Sequence, residues 1–431
     1  MAKEKSRSQP LSVSKKSVVQ DMLPNGLKIV TDEVSYVQSI TLGIQIEAGS
    51  RDDPDGNPGL AHFIEHALFK GTGRRSYLEI AKNIENNGGY LDAYTTKEHT
   101  CIYLRCLDRH VESSFDLLAD LVSNPVFPPE EIEKEKEVVI EEINSVNDTP
   151  EELIFEEFDL RSFPRHPLGR PILGTEKSIE NFTDNHLKTF MREHYVPHKM
   201  LVTATGNIRH DDITRLASKY LGHLQEQPDN LYVRQPFLSG DYRPFTSSLK
   251  KQVYQAQIVL GTAIERCDPL FYSLMVLNSI LGNGMSSLLN IELREKRGLA
   301  YNVYSSLTFF DDLTALNIYA GTDGNKIDTT LELVAELLRS DTLHNPDHDE
   351  VEAAKRKLLG ALVMGMEKMT RRMSQTASDL SYFGRYVTPA EKTAAIESVT
   401  VDDIARAAGE VLRNAPFSTL VYKPKRQEPG K

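Results

Sequence analysis

Cysteine is scarce in this chain: three in 431 residues, Cys101, Cys106 and Cys267, with no CxxC spacing. An odd number without paired spacing supports neither a disulfide framework nor a zinc knuckle, and a reducing compartment is expected. Long apolar runs are missing as well. No stretch approaches the ~20 apolar residues of a membrane-spanning helix, so no membrane span is expected. Positive charge is in deficit: 50 Lys and Arg stand against 62 Asp and Glu, a formal net charge of -12. Readers of phosphate backbones need basic stripes, which argues against nucleic acid as a partner. The opening segment MAKEKSRSQPLSVSKKS lacks the apolar core of a secretory signal, which points to the cytoplasm. Its Ser-rich, basic character, with Glu4 as its one acid, leaves an organelle matrix as the alternative.

What is present suits a globular protein: 40% of residues are hydrophobic and 26% charged. At roughly 100 to 200 residues per domain, the length predicts at least two domains. An internal repeat supports the division. FDLLADLV from Phe115 matches LELVAELL from Leu331 at an offset of 216, EIEKEK from Glu131 matches EVEAAK from Glu350 at 219, and IENFT from Ile179 matches IESVT from Ile396 at 217. A near-constant displacement in unchanged order reads as duplication of a unit a little over 200 residues long. The Pro-, Gly- and polar-rich stretch from Gln225 to Phe245 has linker composition, centred near residue 235. The expected plan is a tail over 1–20, a metal-binding domain over 21–225, a linker over 226–245, a second repeat domain over 246–425 and a tail over 426–431. Within each half, β-like segments such as SITLGIQIEAG and AQIVLGTA occur in runs with amphipathic helices between them. That grouping predicts an α+β protein of two repeated sandwich domains, each a mainly antiparallel sheet covered on one face by helices.

The chemistry is concentrated in LAHFIEHALFKG. Asn57-Pro58 before it and Gly71 after it are start and stop signals for one short helix. His62, Glu65, His66 and Phe69 then share one face, with Leu60, Ile64, Ala67 and Leu68 on the packing side. Two imidazoles one turn apart can share a tetrahedral metal, and the carboxylate between them can deprotonate a water in an open position. This is a hydrolytic arrangement. His194 with His198 and His344 with His348 repeat the spacing, but Pro197 and Pro346 interrupt them, so both pairs are expected on surface loops.

A third ligand is sought in the acidic helix PEEIEKEKEVVIEEINSV, Pro129 to Val146. At about 100° per residue, Glu135 and Glu142 lie within roughly 20° of each other, in an arc with Ile132, Val138, Val139, Ile143 and Val146. Carboxylates in a buried arc need a cation or donor. Glu133, Glu137 and Glu141 point the opposite way and are read as solvated, which makes Glu142 the ligand rather than Glu141. Glu135 is read as an acceptor for a ligand histidine.

At this point the sequence resembles the pitrilysin and mitochondrial processing peptidase family, the inverzincins, in which HxxEH is followed some 75 residues later by a glutamate ligand. Here 76 positions separate His66 from Glu142. The resemblance runs through LPNGLKIVTDE, AGSRDD, HFIEHALFKGT, NNGGYLDAYTTKEHT, EKEKEVVIEEI, HYVPHKMLVTATGNI and LREKRGLAYNVYS, nearly the whole chain. It implies His62, His66 and Glu142 as ligands to one zinc per chain, Glu65 as base and Glu135 as supporting carboxylate. It also implies a zinc endopeptidase acting on peptides or presequence-like unfolded segments inside a closed chamber. From the second half it implies Arg294 and Tyr301 as catalytic residues, although Arg297 and Tyr304 share their spacing. Substrate pairing is expected along the edge strand at Ala93, Tyr94 and Thr95, with His99 a strand-end polar residue rather than a fourth ligand. A homodimer completing the site across its interface is expected. The alternative is a non-catalytic structural or presequence-binding subunit of the same family. The second half's counterpart of the motif, near Ser279 to Gly284, has no His or Glu and cannot bind this metal.

Overall fold

The computed structural model describes residues 18–225 and 232–425. Residues 1–17, 226–231 and 426–431 lie outside the described residues, and with them most of the expected N-terminal tail and its targeting signal, the start of the expected linker and the C-terminal tail. Six strands form the first sheet: β1 (Val18–Met22), β2 (Lys28–Glu33), β3 (Ser39–Ile46), β4 (Tyr90–Thr95), β5 (Thr100–Leu107) and β6 (Met200–Gly206), in the order β1-β2-β6-β3-β5-β4. Five strands form the second: β7 (Thr246–Lys251), β8 (Ala256–Glu265), β9 (Ala300–Phe309), β10 (Leu313–Thr322) and β11 (Ser418–Pro424), in the order β7-β11-β8-β10-β9. Without β1 the two orders are the same. Each sheet has one parallel pair, β2 with β6 and β7 with β11, and is otherwise antiparallel. The chain is thus an α+β protein of two repeated sheet-and-helix domains.

The central strand β3 shows why one sheet needs two covers. Side chains alternate across a strand. Ile40, Leu42, Ile44 and Ile46 enter a core with helices of the same half, including Phe63, Ile64, Phe115 and Leu118. The other face of β3 carries Thr41, Gly43 and Gln45, all small or polar, and it is covered by the helix Met369–Phe383 of the second half. Gln45 Nε2 donates to Ser381 Oγ at 2.9 Å, and a Cβ at Gly43 would lie 2.8 Å from Met373 Sδ.

The second half repeats the device in reverse. The helix Pro150–Ser162 of the first half places Ile154 and Phe158 against Val259, Tyr319, Leu420 and Tyr422 on the outer face of the second sheet. A Cβ at Gly261 would lie 2.8 Å from Phe158 Cζ, as at Gly43. Each half therefore supplies one helix to the other's sheet. The expectation of one covered face describes what each half does for itself; the second face is covered by exchange. Burying a side chain such as Ile154 or Phe158 contributes about 1.5–3 kcal/mol, so the exchange binds the halves together.

Candidate metal centre

HxxEH lies on the helix Leu60–Leu68, which follows β3 and lies against the sheet near β4 and β5. Gly59 caps it with φ 91°, a left-handed conformation that glycine adopts without penalty. A side chain at Gly59 would also meet the backbone of Leu173 and Gly174, with Leu173 O only 2.6 Å from its Cβ. Gly59 N–H and Ala61 N–H donate to the two oxygens of Asp53, at 2.7 and 2.8 Å. Asp53 is buried, and burial pushes its carboxyl up to about 8 despite those backbone donors.

Among the described residues one group of His, Cys, Asp or Glu side chains could hold a metal ion: His62, His66 and Glu142, whose candidate ligand atoms lie within 4.8 Å of one another. His62 Nε2 stands 3.7 Å and His66 Nε2 3.5 Å from Glu142 Oε2. Tetrahedral zinc, with bonds near 2.0–2.1 Å, sets ligand atoms about 3.3 Å apart, close to the two distances from Glu142 Oε2 to the imidazoles. Glu142 Oε2 is itself buried and finds no hydrogen-bond donor among the described residues. Such an orphaned acceptor facing two imidazoles fits a zinc cation in both charge and ligand chemistry. The helix Pro129–Asn147 brings Glu142 there.

Glu135, two turns earlier, accepts from His66 Nδ1 at 2.7 Å and pairs with Lys70. That bond leaves His66 Nε2 free to face Glu142. The electrostatics separate the two histidines. Burial, with the charge of His66 adding to it, takes His62 down to about 3. Burial acts the same way on His66, but the hydrogen bond and charge of Glu135, with Glu65 and Glu142, outweigh it and raise it above the usual histidine value. Burial also raises Glu65, partly opposed by Thr95 Oγ1, which donates to Glu65 Oε2 at 2.5 Å.

Glu142 departs from the buried arc read in the sequence. Its side chain is 43% exposed and Val138 is 50% exposed, while Ile132, Glu135 and Val139 are buried. The reason is that the last turns of the helix border a cavity of about 740 Å³ rather than the core. His62, Glu65, His66, Ala93, Tyr94, Thr95 and Glu142 line this cavity. β4, to which the last three-residue segment belongs, is the edge strand of its sheet, as its position in the order requires. Sequence reasoning missed the far wall: Glu151, Glu152, Phe155 and Glu156 from the exchanged helix, Leu173, and Tyr304 from the second half. A signal for Tyr304 existed, since it belongs to the alternative arginine–tyrosine pair.

Arg294 and Tyr301 do not line this cavity. They sit together on the second half, the guanidinium 5.9 Å from the tyrosine ring centroid, with Tyr301 78% exposed. The helix after β8, Phe271–Leu281, has no ionisable metal ligand. His99 lies in the β4–β5 turn and is not one of the candidate metal trio. The surface expectation fails for His194, which ends the helix Asp184–His194 and is 1% exposed, its ring centroid 4.2 Å from that of Phe190 with the planes tilted by 33°. Pro197 breaks the chain after the helix has ended, so it does not expel His194 from the core. His198 and His344 are partly buried, and His348 is exposed. All three cysteines are free. No described helix is long and apolar enough to cross a membrane.

This two-domain fold has counterparts among known proteins. The model of the insulinase family, peptidase family M16, matches residues 28–176, and that of the peptidase M16 inactive domain matches residues 181–358. An uncharacterized zinc protease of Mycobacterium leprae is 34% identical over 409 residues, covering 94% of this chain and 92% of that one. The uncharacterized zinc protease YmxG of Bacillus subtilis is 32% identical over 381 residues, covering 88% and 92%. The chain belongs to the M16 peptidase family. In fold it is similar to a protease from Helicobacter pylori, with TM-score 0.89, 22% identity and coverage of 94% of this chain and 99% of that one. A Pseudomonas fluorescens structure described as a peptidase M16 inactive domain aligns with TM-score 0.86 at 23% identity, covering 96% and 100%.

Proposed function

We propose that this chain is a zinc-dependent endopeptidase in which His62, His66 and Glu142 hold one zinc and Glu65 is the base. The observation that carries the reading is the convergence of His62 Nε2, His66 Nε2 and the orphaned Glu142 Oε2, with the Glu65 carboxylate on the same cavity. Two relatives named zinc proteases support it. Zinc bound there supplies Lewis-acid polarisation of a peptide carbonyl and acidifies water. Glu65 takes a proton from the attacking water and returns it to the leaving amine. Glu135 holds His66 in the tautomer that leaves Nε2 free, and Thr95 orients Glu65.

An extended peptide pairs with the free edge of β4 at Ala93, Tyr94 and Thr95, which suits unfolded or presequence-like segments because main-chain pairing is tolerant of sequence. Glu151, Glu152 and Glu156 on the opposite wall favour cationic side chains. Arg294 and Tyr301 lie off their own chain's cavity, which supports a homodimer in which each pair acts on the partner's site within a closed chamber. A non-catalytic, presequence-binding subunit would have no use for Glu65 on the cavity.

The deciding experiment is proteomic identification of peptides cleaved by the purified zinc-loaded chain, compared with Glu65→Gln. Cleavage products unique to the wild type are expected. Identical peptide sets from both proteins would overturn the reading.

A further inference from the structure

The loop Gly49–Asp53 connects β3 to the metal-site helix region, and its contacts run in two directions. Towards the edge strand, Ser50 N–H donates to Thr96 O at 3.1 Å and Arg51 N–H to Lys97 O at 2.8 Å. The two backbones are so close that a Cβ at Gly49 would lie 2.3 Å from Thr96 O. Arg51, 1% exposed, donates to Glu98 Oε1 at 2.7 Å in the same turn. Towards the helix, Asp53 accepts from Gly59 N–H and Ala61 N–H, one on each oxygen. Those are two of the donors that a helix start leaves unpaired. His62 follows Ala61 directly, and Glu65 and His66 stand one turn further on.

The loop therefore joins the strand proposed to align the peptide to the helix proposed to hold the metal and base. The hydrogen bond from Thr95 to Glu65 spans the same gap at its other end. Residues before a helix commonly cap it through Ser, Thr, Asp or Asn at the cap position itself. Here the cap position is Gly59, which has no side chain to offer, and the carboxylate comes from six residues earlier.

From this geometry we infer that Asp53 is a positioning residue, whose carboxylate sets the pitch and placement of the helix carrying His62, Glu65 and His66 relative to β4. The inference rests on the metallopeptidase reading and goes beyond it, since Asp53 touches neither metal ligands nor substrate. Both oxygens must accept, so an amide cannot replace it: Asp53→Asn satisfies one N–H and turns its own NH₂ towards the other. A misplaced ligand pair changes metal geometry before it changes substrate binding.

The test uses the full chain, stripped and reloaded with zinc or cobalt. Zinc affinity is measured by competition with a chromophoric chelator, metal geometry by the visible d–d absorption of the cobalt form, and kcat and KM on a peptide that the wild type cleaves. Asp53→Asn is expected to weaken zinc by about tenfold, alter the cobalt spectrum and lower kcat more than KM. Ser76→Ala, which removes the cap of the helix Tyr77–Glu85, controls for lost stability and is expected to lower Tm while leaving the metal readouts unchanged. Wild-type zinc affinity and cobalt spectrum in a folded Asp53→Asn chain overturn the inference. Should that variant not fold, Asp53→Ser, which retains one acceptor, takes its place under the same criteria; failure of both to fold assigns Asp53 to stability alone and also overturns it. A wild-type chain that takes up neither metal sinks the metallopeptidase reading instead.

Discussion

Thr95, on the edge strand β4, donates its hydroxyl proton to Glu65 Oε2 at 2.5 Å, tying the strand that borders the cavity to the acidic member of HxxEH. If Glu65 is the base, as proposed, the contact limits the freedom it loses when it acts and leaves its second oxygen for a water. In the proposed reading the contact also links substrate alignment to proton transfer, because a peptide paired with β4 would meet Glu65 through the same residue.

Glu65→Gln keeps the shape and the bond to Thr95 but cannot take a proton. The expected result is unchanged zinc content with turnover reduced by about 10² to 10⁴. Steady-state rates on a cleaved peptide check this, and activity within tenfold of wild type removes Glu65 from the mechanism.

The adjacent glutamates Glu141 and Glu142 separate a proposed ligand from a solvated neighbour. Glu141 is exposed, whereas Glu142 Oε2 faces both imidazoles. Glu142→Gln should weaken zinc strongly and Glu141→Gln hardly at all. Glu135→Gln, which swaps a charged acceptor on His66 for a neutral one, is expected to cost about 10- to 100-fold in affinity. Chelator titration of the zinc-loaded variants gives the order, and equal effects of Glu141 and Glu142 would contradict the assignment.

His194 makes the fold sensitive to acid. Burial takes it down to about 4, against about 6.5 in the unfolded chain. Above pH 6.5 both states are neutral and nothing is lost; as pH falls from 6.5 towards 4 the unfolded state binds the proton first, and stability drops by up to about 3 kcal/mol. Replacing the ring with one that cannot titrate, His194→Phe, should reduce the loss across that window. Urea unfolding at pH 5 and pH 7.5 measures it: the wild type should lose more between the two than the variant.

Hybrid assembly tests the dimer. Glu65→Gln and Tyr301→Phe chains, each of low activity alone, are co-purified with two tags. If Arg294 and Tyr301 act on the partner's metal centre, half the sites in the hybrid combine both intact parts and activity returns. No recovery in verified hybrids means that each chain works alone.

Much of this protein could be read from its residues because the determining patterns are local. The helix Leu60–Leu68 follows from an apolar stripe between start and stop signals, and the phase of the acidic helix preferred Glu142 to Glu141, a choice with which the spacing implied by the family resemblance agrees. The duplication was legible because matched apolar positions kept one offset, and it correctly implied two similar sheet-and-helix domains; the strand order within them was not read from it. His194 shows the limit: the proline that breaks a pair of histidines says where a helix ends, not whether its last residue is buried.

What only the tertiary structure decided depends on contacts between distant segments. The exchange of the helices Pro150–Ser162 and Met369–Phe383 is invisible in either helix alone, since an apolar face does not state which sheet will cover it. The cap from Asp53 arises because Gly59 must approach Leu173 and Gly174 too closely for a side chain, leaving the helix start to be satisfied from elsewhere. Glu142 is half open rather than buried because its turn of helix meets a cavity whose far wall is built by the helix Pro150–Ser162, Leu173 and, from the second half, Tyr304. Periodicity ranks the faces of one element; burial is a property of what packs against them.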